Sequence, residues 1–199
     1  SGDWSSDVCS SDLGLPYLPW RGGVGTSLPE VNPDLKQISD PISDEPLIAV
    51  PAIKPDIAIV HAAQSGVYGN VQHHGGPGWI DLFLCRAATR TIVQVEKIVS
   101  NEAVRADPWA TTLPGADAVV RLPWGAHPFY SRGHYVQDVA FVQHYVETAN
   151  QAVKGQPTGL ESFLETYCRQ PERHVDYLEL IGLRRLLGLP EYGNDARPA

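Results

Sequence analysis

Apolar residues follow two rhythms along this chain, and the change between them divides it. Residues 56–63, "DIAIVHAA", form an almost unbroken apolar run with β-branched side chains. Such a run predicts a strand covered on both faces, as in a parallel sheet. Residues 47–50 are a short apolar run, "TIVQVEKIV" (91–99) alternates as a strand, and "ADAVVRL" (116–122) is another short strand. Between them "WIDLFLCRAA" (79–88) reads as a compact helix. From residue 136 the period lengthens. Val139, Val142, Val146, Ala149 and Val153 make one stripe on a long helix that Gly155 and Pro157 stop. Leu160, Phe163, Leu164 and Tyr167 mark a second helix, and Pro171 starts a third through Val175, Leu178 and Ile181. A short helix at 183–187 ends at Gly188. Strands alternating with helices, then a helical C-terminus, predict an α/β fold, an open and mostly parallel sheet with flanking helices.

Two stretches carry no rhythm. Residues 14–45 are rich in Pro and Gly and read as loops around short elements. Residues 1–13 are polar and aperiodic, and "DWSSDVCSSDL" (3–13) reads as the conceptual translation of a sequencing-library adapter. The expected organisation is therefore a non-native leader at 1–13, one domain at 14–190, and a flexible tail at 191–199.

Composition narrows the classes. The net charge of −8 falls to about −5 without Asp3, Asp7 and Asp12, which argues against a general nucleic-acid binder. No apolar run approaches the roughly 18 residues of a membrane span, so neither membrane nor nucleic acid is expected as a partner. Outside the leader only Cys85 and Cys168 remain. They make no disulfide framework, and a cytoplasmic location is the default expectation.

Four stretches are candidates for chemistry. "WRGGVGTS" (20–27) has glycines that let backbone N–H groups approach a ligand, yet it has neither the P-loop nor the dinucleotide spacing, and a plain turn is the alternative. "HAAQSGVYGNVQHHGG" (61–76) puts a Gly-Asn turn after a strand, where open α/β sheets bind ligands, or where a simple tight turn closes. Its His73 and His74 are adjacent, point to opposite faces of an extended segment and converge poorly on one ion, so no metal site is predicted. In "VEKIVSNEAVR" (95–105), Glu96 and Glu102 are read as solvated or loop-orienting carboxylates before catalytic ones. "PWGAHPFYSRGHY" (123–135) gathers His127, Tyr130, Arg132 and His134 in one loop, fit for binding or for a subunit contact.

Taken in order, "GLPYLPWRGGVGTS", "PLIAVPAIKPDIAIVHAAQSGVYGN", "VQVEKIVSNEAVR", "VVRLPWGAHPF" and "FLETYCRQPERHVDYLELIG" resemble the α (A) subunit of family I CoA-transferases, in the glutaconate-type branch. The resemblance runs from Gly14 to about Gly182 and covers the later part of such a subunit, without the family's first βαβ units and Gly-Gly-Phe-type motif. Apolar sheet surface left uncovered by those units would favour association.

The resemblance implies a paired β subunit, with transfer of CoA between an acyl-CoA and a carboxylic acid. Coenzyme A is then a substrate, and no cofactor is permanently bound. A β-subunit glutamate attacks the thioester, so no catalytic residue is expected in this chain. The family's loop falls on Gly23, Val24 and Gly25, whose amides would face the acyl group or CoA. Its turn falls on Gly69 and Asn70. Many relatives carry Asp where this chain has Gly66, which leaves the substrate class open, and Glu96 matches a glutamate with a structural role. Two other readings stay open: a related ring-opening acyl-CoA hydrolase whose essential α-subunit glutamate would precede Gly14, and a non-catalytic ligand-binding domain of the same broad fold.

Overall fold

The computed structural model describes residues 14–75 and 80–189. The leader at 1–13, Trp79 of the first predicted helix and the tail at 191–199 lie outside the described residues.

The aperiodic N-terminal stretch folds into a small antiparallel sheet. Strands β1 (Tyr17–Trp20) and β2 (Lys36–Ser39) flank β3 (Pro46–Pro51), with helix α1 (Leu28–Val31) between the first two. Each edge strand has four residues and a single half-buried position, too few to show alternation. Ile48 of β3 is the buried centre of this unit. The Trp20 ring folds over Gly22 and Gly23, where a Cβ would stand 2.8 Å from its carbons.

The main sheet has the order β7-β5-β4-β6-β8. Strands β4 (Ile57–Gly66), β6 (Arg90–Val99) and β8 (Ala118–Arg121) are parallel, in the register Ile59↔Ile92 and Gln94↔Val120. The short β5 (Val71–Gln72) and β7 (Thr111–Leu113) are antiparallel, so the sheet is mixed. The reason is local: the turn at residues 66–70 is too short for a crossover and returns β5 along β4 as a hairpin. Buried Gln72 ties that hairpin down, its amide donating to Val104 O (3.2 Å), Asp107 O (2.8 Å) and Thr111 Oγ1 (3.2 Å). Because β5 meets β4 only at Gln64 and Ser65, β4 pairs on one side alone from Ile57 to Ala63.

Helix α2 (Asp81–Ala87) lies on one face and closes a core of Ala58, Val60, Ala62, Val93, Val95 and Cys85. Helix α3 (Asn101–Ala106) starts where the Ser100 hydroxyl accepts from Ala103 N–H (3.3 Å). Its buried Val104 lies under Gly66, where a Cβ would be 3.0 Å from the Val104 methyl. That packing accounts for glycine at 66.

The other face departs from the expectation of a strand covered on both sides. Ile57 and Ile59 are 52% and 67% exposed. Only the carboxyl half of this face is sheltered, by the loop at residues 123–135. The C-terminal unit then follows: α4 (Val139–Val153), α5 (Thr158–Leu164) running on into a wider turn at Glu165–Arg169, α6 (His174–Ile181) and α7 (Leu183–Leu187). Helix α6 begins three residues after Pro171, where the Asp176 carboxylate accepts from Arg173 N–H (2.9 Å). Phe141, Phe163, Ile181 and Leu186 form the core of this unit. The valine stripe that announces α4 is not the face that packs: α4 buries Phe141 and Thr148 and turns Val139, Val146 and Val153 outward. Among the described residues, no helix is long and apolar enough to cross a membrane.

Candidate functional site

Glu96 organises one wall of a cavity from behind. It sits on β6, on the face away from α2, and is 5% exposed. Its Oε2 accepts from Trp124 N–H (2.7 Å) and its Oε1 from the Tyr135 hydroxyl (2.6 Å), and the His61 Nε2 stands 3.3 Å from Oε1. Burial alone would raise its carboxyl pKa, but these partners outweigh burial and hold it below the ordinary value. The Tyr135 phenol is pushed well above its usual range by burial and by the Glu96 carboxylate, so it remains a donor. Trp124 carries φ 62°, a left-handed conformation costly for a bulky residue, held by Glu96 and by stacking on Tyr135 at 4.3 Å between centroids. Of the two readings, solvated or loop-orienting, Glu96 takes the second: it is buried and holds the loop.

The loop it anchors forms one wall of a cavity of about 910 Å³. The opposite wall is the open edge of β4 at residues 61–63, the turn at residues 73–75 and the first turn of α2. His61 is held between the Ser131 hydroxyl (3.1 Å) and Glu96, and its Nδ1 has no partner among the described residues. His73 Nε2 faces two acceptors, His61 O (3.2 Å) and Asp81 Oδ2 (3.1 Å), and so carries the proton. Its Nδ1 then accepts from the Thr112 hydroxyl (2.5 Å). His74 stacks on His134, centroids 5.6 Å apart, and burial lowers its pKa. Arg132 donates to Gly75 O (2.6 Å) across the cavity mouth, and Phe129 and Tyr130 line it, both more than half exposed. The cavity therefore offers hydroxyl and guanidinium donors beside imidazole and aromatic rings. Its lining carboxylate, Asp81, is already paired with His73.

A smaller cavity of about 460 Å³ lies at the carboxyl ends of β4 and β6, bordered by Gly66, Gly69, Ile98 and Ala116. Gly69 has φ 79°, and a Cβ there would lie 2.9 Å from Ala116 O. Its N–H donates to Gly66 O (3.1 Å), and Asn70 O accepts from Gly66 N–H (3.0 Å). Gly69 and Asn70 thus close a tight turn, with Gly69 on the rim of this second cavity. Gly23, Val24 and Gly25 border neither cavity. Val24 N–H is taken by Arg21 O (3.1 Å), and Gly23 O accepts from Thr26. Among the described residues, the amides of Gly23 and Gly25 have no partner.

Of the four polar residues singled out in the 123–135 loop, Arg132 and Tyr130 face the large cavity. His127 turns inward, between the Tyr177 hydroxyl (2.6 Å) and Asp138 (3.3 Å). Burial lowers its pKa, so the neutral ring donates from Nε2 to Asp138 and accepts from Tyr177. Asp138 also accepts from Nε and Nη2 of Arg185, which chiefly draws its pKa down to about 2. Pattern reading passed over His61 and Ser131. The available signal was one imidazole interrupting the apolar run at 56–63.

Comparison with known proteins fits this picture. The family described as Coenzyme A transferase matches residues 14–121. The chain is 31% identical to the A-type subunit of glutaconate CoA-transferase from Acidaminococcus fermentans, over 94% of this chain and 64% of that protein. It is 35% identical to the cholesterol ring-cleaving hydrolase IpdA subunit of Mycobacterium tuberculosis, over 82% of this chain and 57% of that protein. The crystal structure of the A. fermentans glutaconate coenzyme A-transferase superposes with TM-score 0.82 at 32% identity, over 93% of this chain and 62% of the other. The chain thus spans 57% to 64% of the length of these relatives.

Proposed function

The chain belongs to the coenzyme A transferase family, and we infer from that membership and from the cavity's chemistry that it is an α-type subunit of a CoA-transferase. It shapes the acyl-thioester pocket while a partner β subunit carries the nucleophile. Coenzyme A enters as a substrate, with no resident cofactor. The observation that carries this reading is the state of the carboxylates. Glu96 is committed to Trp124, Tyr135 and His61, and Asp81 to His73. Among the described residues, the cavity has donors for a carbonyl or carboxylate and no uncommitted carboxylate to attack one.

The chemistry then runs through the partner. A glutamate oxygen attacks the thioester carbonyl, and the CoA thiolate leaves an acyl-glutamyl anhydride. The thiolate attacks the glutamyl carbonyl, the donor acid departs, and a glutamyl-CoA thioester remains for the acceptor carboxylate to attack in turn. Backbone amides at Gly23 and Gly25 are proposed to reach the developing oxyanion once the partner brings the substrate to them. Gly69 and Asn70 are proposed to border the CoA chain.

The test uses the complete αβ protein, incubated with acyl-CoA and then borohydride. Reduction should convert a β-subunit glutamate to its alcohol and stop turnover. Undiminished turnover with no reduced glutamate overturns the covalent route. The comparable identity to the cholesterol ring-cleaving hydrolase IpdA subunit favours one second reading, water-driven opening of a ring on an acyl-CoA. A gain of one water by a cyclic acyl-CoA, with its thioester intact and no acceptor acid present, selects it.

A further inference from the structure

Protons in the network behind the large cavity are ordered by the Glu96 carboxylate. Despite burial, its hydrogen-bond partners hold it below the ordinary value, so it is ionised and can only accept. Trp124 N–H and the Tyr135 hydroxyl donate to it at 2.7 and 2.6 Å. His61 Nε2 stands 3.3 Å from Oε1 and must bring a proton to that contact. The other ring nitrogen agrees. Nδ1 is buried with no partner among the described residues, where a bare lone pair is less costly than an orphaned N–H. The Nε2–H also faces the Ser131 hydroxyl oxygen at 3.1 Å. That oxygen is therefore an acceptor toward His61, and its own proton is left over. The backbone carrying it is pinned, because Ser131 and Tyr135 exchange N–H to carbonyl hydrogen bonds of 3.0 Å in both directions. Ser131 is 4% exposed, and it and His61 both line the cavity.

We propose that the Ser131 hydroxyl is a catalytic donor to the acyl carbonyl oxygen of the thioester, with His61 as the positioning residue that turns its proton toward the cavity. This rests on the acyl-CoA reading above and adds a side chain of this subunit that touches the reacting group. Negative charge grows on that oxygen as the partner's glutamate attacks, so a hydroxyl oriented beforehand favours the transition state over the bound substrate. The same geometry fixes what Ser131 is not. Carboxylate and hydroxyl share one imidazole nitrogen, and that nitrogen already carries its proton. The ring has no lone pair facing the hydroxyl and cannot take its proton, so Ser131 is a donor and the nucleophile remains the partner's.

The test uses the complete αβ protein and a ketone analogue of acetyl-CoA, with methylene in place of the thioester sulfur and an isotope label at the carbonyl carbon. In infrared difference spectra the bound carbonyl should absorb at lower frequency in the wild type than in Ser131→Ala, which removes the donor. Ser131→Ala should lower kcat by about a hundredfold with KM unchanged. Its circular dichroism spectrum should be that of the wild type, since Glu96 keeps all three partners. Ser131→Cys fills the same space with a weak donor and should show the same band and the same loss. His61→Phe removes the orienting N–H and should also lower kcat, but adding it to Ser131→Ala should cost nothing further. Additive losses overturn the positioning role of His61. An identical carbonyl band in the wild type and both Ser131 variants, or a rise in KM alone, overturns the donor role and leaves the acyl-CoA reading standing. A wild type that neither binds the analogue nor transfers CoA removes that reading, and the proposal with it.

Discussion

The two faces of β4 and β6 are made by alternate residues of the same strands, yet they obey different rules. Toward α2, Ala58, Val60, Ala62, Val93 and Val95 are all buried in a dry apolar core. On the reverse face the same strands present Ile57 and Ile59 in the open, then His61 and Glu96 under the 123–135 loop. The first face is stabilised by area removed from water. The second is stabilised by a satisfied polar network, in which each buried group depends on its neighbours. The lesson is that the cavity stands on the face with less apolar burial, and that one carboxylate holds its wall.

Substitutions of graded severity separate these rules. Glu96→Ala should have the largest effect. It strips acceptors from Trp124 N–H and the Tyr135 hydroxyl and leaves the strained Trp124 unsupported. Loss of one partner in such a buried network costs roughly 3–5 kcal/mol, measurable by urea unfolding. Glu96→Gln should recover part of that loss by keeping one acceptor. If Glu96→Ala unfolds at the wild-type denaturant concentration, the network does not hold the loop.

On the apolar face, Val93→Ala deletes buried methyl groups at a position 0% exposed. The expected cost is about 2 kcal/mol from lost transfer and residual cavity, with no change in ligand affinity. A larger loss of CoA binding than of stability would show that the two faces are coupled through the strands.

Acid tests the polar side again. Asp138 is held at about 2, chiefly by Arg185, and Glu96 is also held low. A carboxylate depressed in the folded state stabilises fully above its ordinary value and loses that contribution as pH falls through the folded value. Stability should therefore decline between about pH 4 and 2, by about 1–2 kcal/mol for Asp138, since Arg185 is half-exposed and solvent screens part of the pair. Asp138→Asn should flatten that part of the profile. An unchanged slope would remove Asp138 from the account.

The smallest effect is expected at Ile59→Ser. The residue is already 67% exposed, so the chain alone should lose less than about 0.5 kcal/mol. A loss as large as that of Val93→Ala would mean that this face is covered in solution.

Much of this protein was legible from its residues. The apolar run at 56–63 and the alternation at 91–99 announce β4 and β6, because burial of side chains on a strand imposes a period of two. The spacing at 139–153 announces α4 within a residue, and Gly188 marks the end of α7. Glu96 was readable as a solvated or loop-orienting carboxylate, and only its burial under the 123–135 loop decided between the two. What periodicity cannot state is what lies opposite each face. Tertiary contact alone decided that Ile57 and Ile59 stay open while Ala58 and Val60 are buried, that α4 packs by Phe141 and not by its valines, and that His127 turns inward while Arg132 turns to the cavity. It also brought His61, Glu96 and Ser131 together across 70 residues of chain. Local sequence sets which side chains share a surface, since that follows from backbone geometry; only the pairing of distant segments determines which surface is covered.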